Sequence, residues 1–144
     1  MIRSFARLAH PLATAIFLGC GIVQVFLAGM GVFDDPEAFV THREFGYMFG
    51  WLTLVILVLA LVGREPRRIT GLSALLLVLF ALQSVLVAVR ADMPVLAALH
   101  PLNGFFILAV AGVTTRLSWA VRREPDPIPA GGTVATPMVT PSAR

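Results

Sequence analysis

The chain has 144 residues, of which 58% are hydrophobic and only 13% are charged, whereas a typical soluble domain has roughly 45–50% and about 25%. A globule of this size cannot bury so much apolar surface, so the composition excludes a water-soluble enzyme and indicates a protein that lies in lipid. The formal net charge is +3. Its arginines are scattered and no lysine is present, so we expect no nucleic-acid partner.

Four apolar stretches, at residues 8–32, 39–62, 69–89 and 96–119, are each long enough to cross a hydrocarbon core of roughly 30 Å. Backbone in lipid must satisfy its own hydrogen bonds, so each stretch is predicted to be a helix. The short connections make neighbouring helices antiparallel. The sequence therefore predicts an all-α membrane protein, a four-transmembrane-helix antiparallel bundle over residues 1–123. The proline-rich residues 124–144 are predicted to form a disordered cytoplasmic tail.

The arginines predict the orientation of these helices. In the predicted topology, eight of them fall at one end of the bundle: Arg3, Arg7, Arg64, Arg67, Arg68, Arg116, Arg122 and Arg123. Only Arg43 and Arg90 fall at the other end. Cytoplasmic loops carry the excess of arginine in membrane proteins, so we expect a multi-pass protein of the cytoplasmic (plasma) membrane with both termini in the cytoplasm.

Two histidines are predicted to lie at the same depth near the outer surface. His42 is near the outer end of the second span and His100 is near the outer end of the fourth. A glycine follows each of them by four residues, Gly46 and Gly104. Residues four apart share a helix face, so each glycine leaves a flat space beside the imidazole of the kind that a planar macrocycle needs.

The same positions are part of an internal repeat. Gln24 precedes His42 by 18 residues and Gln83 precedes His100 by 17, so the bundle reads as two repeated helical hairpins. A parallel repeat implies a pseudo-two-fold axis along the membrane normal, with a functional site where the halves meet. Two histidines related by this axis face each other, which suits a six-coordinate haem iron with His42 and His100 as its axial ligands.

Each of these features also has a simpler explanation. A histidine near a membrane boundary often lies in the headgroup region. Glycines spaced by four, such as Gly46 and Gly50, often mediate close helix packing. The two glutamines have the alternative of bonding across helices. The haem hypothesis depends on the conjunction of matched depth, matched spacing and repeat symmetry.

Two outer arginines and a third histidine complete the candidate residues. Arg43 and Arg90 are the only cations near the outer surface that are available to bind haem propionates, although snorkelling to the interface explains them as well. His10 lies at the cytoplasmic end of the first span, opposite in depth to the other two histidines. It has no evident partner in the sequence, so we expect it to be interfacial.

The motifs H-R-x-x-G at His42 and L-H-P-x-N-G at His100 resemble those of one half of haem A synthase. The whole chain also resembles a small actinobacterial family of four-helix membrane proteins of unknown function. The first resemblance implies that His42 and His100 bind haem b near the outer face. Only one such half is present, so it implies one haem site and not haem A synthesis by this chain alone.

The residues and the resemblance together favour a small membrane cytochrome of b type, an electron-transfer protein more than a complete enzyme. Two histidine ligands fill both axial positions of the iron, and this favours one-electron transfer, with a quinol or a respiratory complex as the expected redox partner. The alternative is a haem-free accessory or assembly subunit of a respiratory membrane complex. The sequence leaves open whether two chains pair as a homodimer.

Overall fold

The computed structural model describes residues 1–123, all of it helix, turn or short connection. Helix α1 spans Ile2–Phe33, α2 spans Ala38–Gly63, α3 spans Arg67–Ala88, the short α4 spans Pro94–Ala97, and α5 spans His100–Arg123. The predicted tail, residues 124–144, lies outside the described residues. The predicted all-α fold is confirmed.

Four helical segments are long and apolar enough to cross a membrane. Their bounds are Ile2–Phe33, Ala38–Gly63, Arg67–Ala88 and Pro94–Arg123, with mean hydropathies of 1.8 to 2.3. Large apolar side chains such as Phe26, Trp51 and Phe105 are exposed along their outer faces. Because water would not tolerate so much exposed apolar surface, the chain is a multi-pass membrane protein whose outer faces contact lipid.

The helices form a four-membered ring. Helix α1 packs against α2 and α5, and α3 packs against the same two helices. Helices α2 and α5 therefore lie on one diagonal of the bundle, and α1 and α3 lie on the other. The two hairpins that the sequence predicted are α1–α2 and α3–α5, the latter joined through α4.

The fourth predicted span is interrupted where the sequence predicted a continuous helix. A turn at Ala98 and Leu99 separates α4 from α5. Pro101 has no N–H to donate to a carbonyl four residues earlier, so a new helix begins here instead. Its ladder starts with the Asn103 N–H donating to the Leu99 carbonyl at 2.9 Å. His100 is therefore the first residue of α5.

The bundle has three layers along its length. An aromatic and aliphatic core occupies the middle, where the rings of Phe17, Phe49 and Phe80 lie 5.2 to 6.1 Å apart. We call the end that carries His42 and His100 the histidine end, and the end that carries residues 1–10, 63–73 and 116–123 the arginine end. Buried polar side chains that bond from one helix to another lie at the two ends, whereas the buried hydroxyls of Thr14, Thr53 and Thr114 bond to carbonyls of their own helices.

Candidate functional site at the histidine end

The structure brings His42 and His100 together although their helices lie on a diagonal. The two ring centroids are 6.2 Å apart and the ring planes are inclined by 64°. Both side chains are half-buried. The matched depths that the sequence predicted thus become a direct contact between the two imidazoles across the centre of the bundle.

Each histidine is held by the glutamine of its own hairpin. The Nδ1 atom of His42 lies 3.1 Å from the backbone carbonyl oxygen of Gln24. The side-chain amide of Gln24 in turn donates to the His42 carbonyl at 2.9 Å. The Oε1 atom of Gln24 is buried and has no partner in the part of the chain that the structure describes.

The second hairpin repeats one of these bonds and changes the other. The Nδ1 atom of His100 lies 3.4 Å from the Gln83 carbonyl oxygen, as the repeat predicts. The Gln83 amide, however, lies 3.2 Å from the Nε2 atom of His100 instead of reaching its carbonyl. Asn103, which is 6% exposed, donates both to the Gln83 side-chain oxygen at 2.6 Å and to the Leu79 carbonyl at 2.9 Å.

These bonds define which nitrogen of each imidazole carries the proton. A backbone carbonyl only accepts hydrogen bonds, so Nδ1 is protonated in both His42 and His100 and donates to it. In the neutral form of each ring, Nε2 then carries a lone pair. In metal sites the ligating histidine usually makes this same Nδ1 bond to a carbonyl, which orients the ring and leaves Nε2 to the metal.

The two repeated glycines make room for the glutamines. A Cβ atom at Gly46 would lie 2.6 Å from the amide nitrogen of Gln24, closer than real contacts allow. A Cβ atom at Gly104 would lie 3.5 Å from the amide nitrogen of Gln83, an ordinary contact. The flat spaces predicted beside the imidazoles thus hold glutamine amides in this structure. Gly50 lies one turn deeper and faces the ring of Phe80.

The outer arginines do not bond to either histidine within residues 1–123. Arg43 pairs with Glu44 at 2.9 Å, and both side chains are more than half exposed. Arg90 donates to the Val87 carbonyl at 3.2 Å and is exposed. Both arginines are at the histidine end of the bundle and both are exposed.

The prediction for His10 was wrong. Its side chain is 0% exposed and lies between α1, α3 and α5 at the arginine end. Nε2 lies 3.1 Å from the hydroxyl of Ser73, and Nδ1 lies 3.1 Å from the hydroxyl of Ser118. These partners are 63 and 108 residues away in the chain, so no local pattern could have revealed them. His10 is a buried structural residue remote from the other two histidines.

An ion pair that the sequence did not predict lies beside His10. The Glu65 carboxylate is fully buried and lies 2.5 Å from the guanidinium of Arg122. Arg122 also donates to the Arg7 carbonyl, which has no helical donor because the residue four positions later is Pro11. The pair therefore joins the α2–α3 connection and the end of α5 to α1.

The distance between the two imidazole rings is compatible with two ligands of one haem iron, although Nε2 of His100 faces the Gln83 amide in this structure. Metal–imidazole bonds are about 2.0–2.1 Å long and the ring centroid lies about 1.1 Å further, so two imidazoles on opposite sides of one iron have centroids about 6 Å apart. The observed separation is 6.2 Å. Within residues 1–123 no three His, Cys, Asp or Glu side chains are grouped for a metal ion. A haem needs only two protein ligands, because the macrocycle supplies the others.

Part of the chain is similar to a protein family of unknown function. Residues 24–91 match the model of DUF6220, described as a family of unknown function. The match covers just under half of the chain and includes Gln24, His42 and Gln83. No curated protein and no solved structure matches the chain. The chain is thus similar to this family over its two central helices and their flanking residues.

Proposed function

We propose that this protein is a small integral membrane cytochrome of b type that transfers single electrons, with one haem b held near the outer face by His42 and His100. The observation that carries the proposal is the pair of imidazoles whose ring centroids lie 6.2 Å apart, each with Nδ1 held by a backbone carbonyl. The resemblance of the two histidine motifs to one half of haem A synthase supports the same ligands. Haem with two imidazole ligands supplies one-electron transfer, because no axial position remains open.

Three groups of residues would have different roles in holding the haem. Gln24 and Gln83 orient the two imidazoles through their backbone carbonyls, which prevents either ring from turning its protonated nitrogen toward the iron. Arg43 and Arg90 are the cations at this end and would pair with the haem propionates. The aromatic core below the site separates it from the polar groups at the arginine end.

The proposal includes an orientation. With eight arginines at one end of the bundle and two at the other, the histidine end faces the outer side of the cytoplasmic membrane and both termini face the cytoplasm. The redox partner then meets the protein at the outer face. A membrane quinol or a subunit of a respiratory complex fits that position.

An absorption spectrum tests the proposal. The full chain, produced with ample haem supply and purified in detergent, should show a Soret band and reduced-minus-oxidised bands of b type. His42→Ala and His100→Ala should each abolish the low-spin spectrum, since each removes one axial ligand. His10→Gln removes the third imidazole but leaves an amide in its place, and it should retain the spectrum. Colourless wild-type protein under these conditions would refute the proposal.

One observation favours a second candidate function, a haem-free accessory subunit of a respiratory membrane complex. The Gln83 amide lies within hydrogen-bond distance of Nε2 of His100, and its oxygen accepts from Asn103. The polar groups of this half of the site therefore have partners without a ligand. In that case the histidines stabilise the contact between the hairpins. Copurification of haem-free protein with an oxidase or reductase, with no change in the spectrum of that complex on His42→Ala, would support this candidate over the cytochrome.

A further inference from the structure

The two ends of the bundle carry very different charge. Within residues 1–123 the arginine end has eight arginines and one carboxylate, that of Glu65, whereas the histidine end has two arginines and five carboxylates. The Glu65 side chain is fully buried and pairs with Arg122 inside the bundle. The other seven arginines of this end are exposed and form no ion pair among the described residues.

Four of these arginines gather around the connection between α2 and α3. The stem of Arg7 crosses Gly63, where an added Cβ atom would lie 3.2 Å from the Arg7 Cγ atom. Arg64 follows Gly63 directly, and Arg67 and Arg68 are the first two residues of α3. We call Arg7, Arg64, Arg67 and Arg68 the arginine cluster. All four are exposed, so the cluster is a concentrated positive charge on the surface of the protein.

Arg64 has a backbone conformation that favours glycine. Its φ is 53° and its ψ is 50°, in the left-handed region, at the C-terminal end of α2. Helices that end in this conformation usually have glycine there, because a side chain adds strain. The Arg64 side chain is exposed and forms no ion pair within residues 1–123 that would offset the strain. A strained residue of this kind points to a function outside the fold itself.

The arginine cluster lies at the depth of lipid headgroups. Helix α1 has 32 residues and is therefore about 48 Å long, whereas a hydrocarbon core is roughly 30 Å thick. The first turns of α1, which carry Arg7, thus extend beyond the hydrocarbon. Trp119 is 38% exposed near the same end of the bundle, and tryptophan is enriched at the membrane interface. Lipid phosphates are the anions that a cluster at this depth meets.

We infer that the arginine cluster binds the phosphate of an acidic phospholipid. A guanidinium group matches phosphate oxygens with paired N–H donors. A zwitterionic phospholipid also brings an ammonium group, and the described part of the arginine end has no exposed carboxylate to accept it. The charges therefore favour a lipid with a net negative headgroup. The site is at the opposite end of the bundle from His42 and His100, so the inference does not depend on haem.

Lipid titration of the full chain tests the inference. The chain in detergent is titrated with phosphatidylglycerol or phosphatidylcholine, and native mass spectrometry measures how much lipid each protein retains. The wild type should bind phosphatidylglycerol more tightly. A basic side chain near an anionic lipid surface contributes about fivefold to affinity, so Arg67→Gln with Arg68→Gln should weaken phosphatidylglycerol binding by at least about fivefold. The matched control, Arg43→Gln with Arg90→Gln, removes two arginines from the histidine end and should change this binding by less than about twofold.

Arg64→Gly separates lipid binding from folding. Glycine relieves the left-handed strain, so this variant should resist unfolding at least as well as the wild type and yet bind phosphatidylglycerol about fivefold more weakly. Equal affinity of the wild type for the two lipids, or equal losses in the two double variants, would overturn the inference. Displacement of phosphatidylglycerol by inorganic phosphate, beyond that caused by chloride at the same ionic strength, would also overturn it, because the site would then bind a free ion.

Discussion

Removing one partner of the ion pair between Glu65 and Arg122 should destabilise the fold more than removing one partner of any other ion pair in residues 1–123, and Arg122→Leu tests this. The Glu65 side chain is 0% exposed and that of Arg122 is 15% exposed. The second carboxylate oxygen of Glu65, Oε2, is buried and has no partner among residues 1–123. Removing Arg122 therefore leaves a buried carboxylate with no countercharge, a change that costs about 3–5 kcal/mol in other proteins.

Arg122→Leu also removes an exposed hydrogen bond. Arg122 also donates to the Arg7 carbonyl, which Pro11 leaves without a helical donor. Because this bond is exposed, water can replace the guanidinium in Arg122→Leu, and its loss should add little to the cost. We therefore expect the free energy of unfolding to fall by at least about 3 kcal/mol.

The assay is reversible unfolding of the full chain in mixed micelles, followed by helical circular dichroism. Glu44→Gln is the control, because it removes the exposed pair with Arg43, whose side chains are 54% and 63% exposed, and it should cost less than about 1 kcal/mol. The double substitution Glu65→Leu with Arg122→Leu should recover much of the loss, since no carboxylate remains buried. If Arg122→Leu costs no more than Glu44→Gln, the reasoning about burial is wrong.

Three further predictions concern the glycines and the topology. Gly46→Ala should displace the Gln24 amide and lower the free energy of unfolding by about 1 kcal/mol, whereas Gly104→Ala, with 3.5 Å to its nearest side-chain atom, should be nearly neutral in the same unfolding assay. Gly50→Ala places a Cβ against a phenylalanine ring of α3 and should lower the free energy of unfolding by about 1–3 kcal/mol through overpacking. Its control is Gly71→Ala, whose Cβ meets open space. This variant should be neutral or stabilising, since alanine favours a helix by up to about 1 kcal/mol over glycine. Reporter fusions at the two termini should both be active on the cytoplasmic side, and an outer-side signal from either would contradict the orientation taken from the arginines.

Much of the architecture follows from one-dimensional properties of the chain. The lengths of the apolar stretches predict the number of spans, because backbone in lipid has to be helical and a helix needs a defined length to cross. The predicted bounds agree with α2 and α3 to within two residues. The Gln–His spacings also predict which residues share a depth, and in both hairpins the glutamine carbonyl does meet the histidine Nδ1.

The rotation of each helix about its axis is what the sequence leaves undetermined. Hydrophobic periodicity is weak when both the core and the lipid are apolar, so it does not tell which face of α1 carries His10 toward Ser73 and Ser118. The same applies to Glu65, which lies in a short connection that composition alone marks as exposed, yet its carboxylate turns inward to Arg122.

At the candidate site, too, the sequence predicts some features and the tertiary structure determines the others. The sequence predicts the depth of the two histidines and the repeat symmetry, because a helix has a constant rise per residue and the number of residues between two positions gives their difference in depth. The contact between the two imidazoles, and the different roles of Gln24 and Gln83, were decided by packing across the bundle. Asn103 was visible as a polar residue next to Gly104, but only its distances to Leu79 and Gln83 show that it directs an amide at His100.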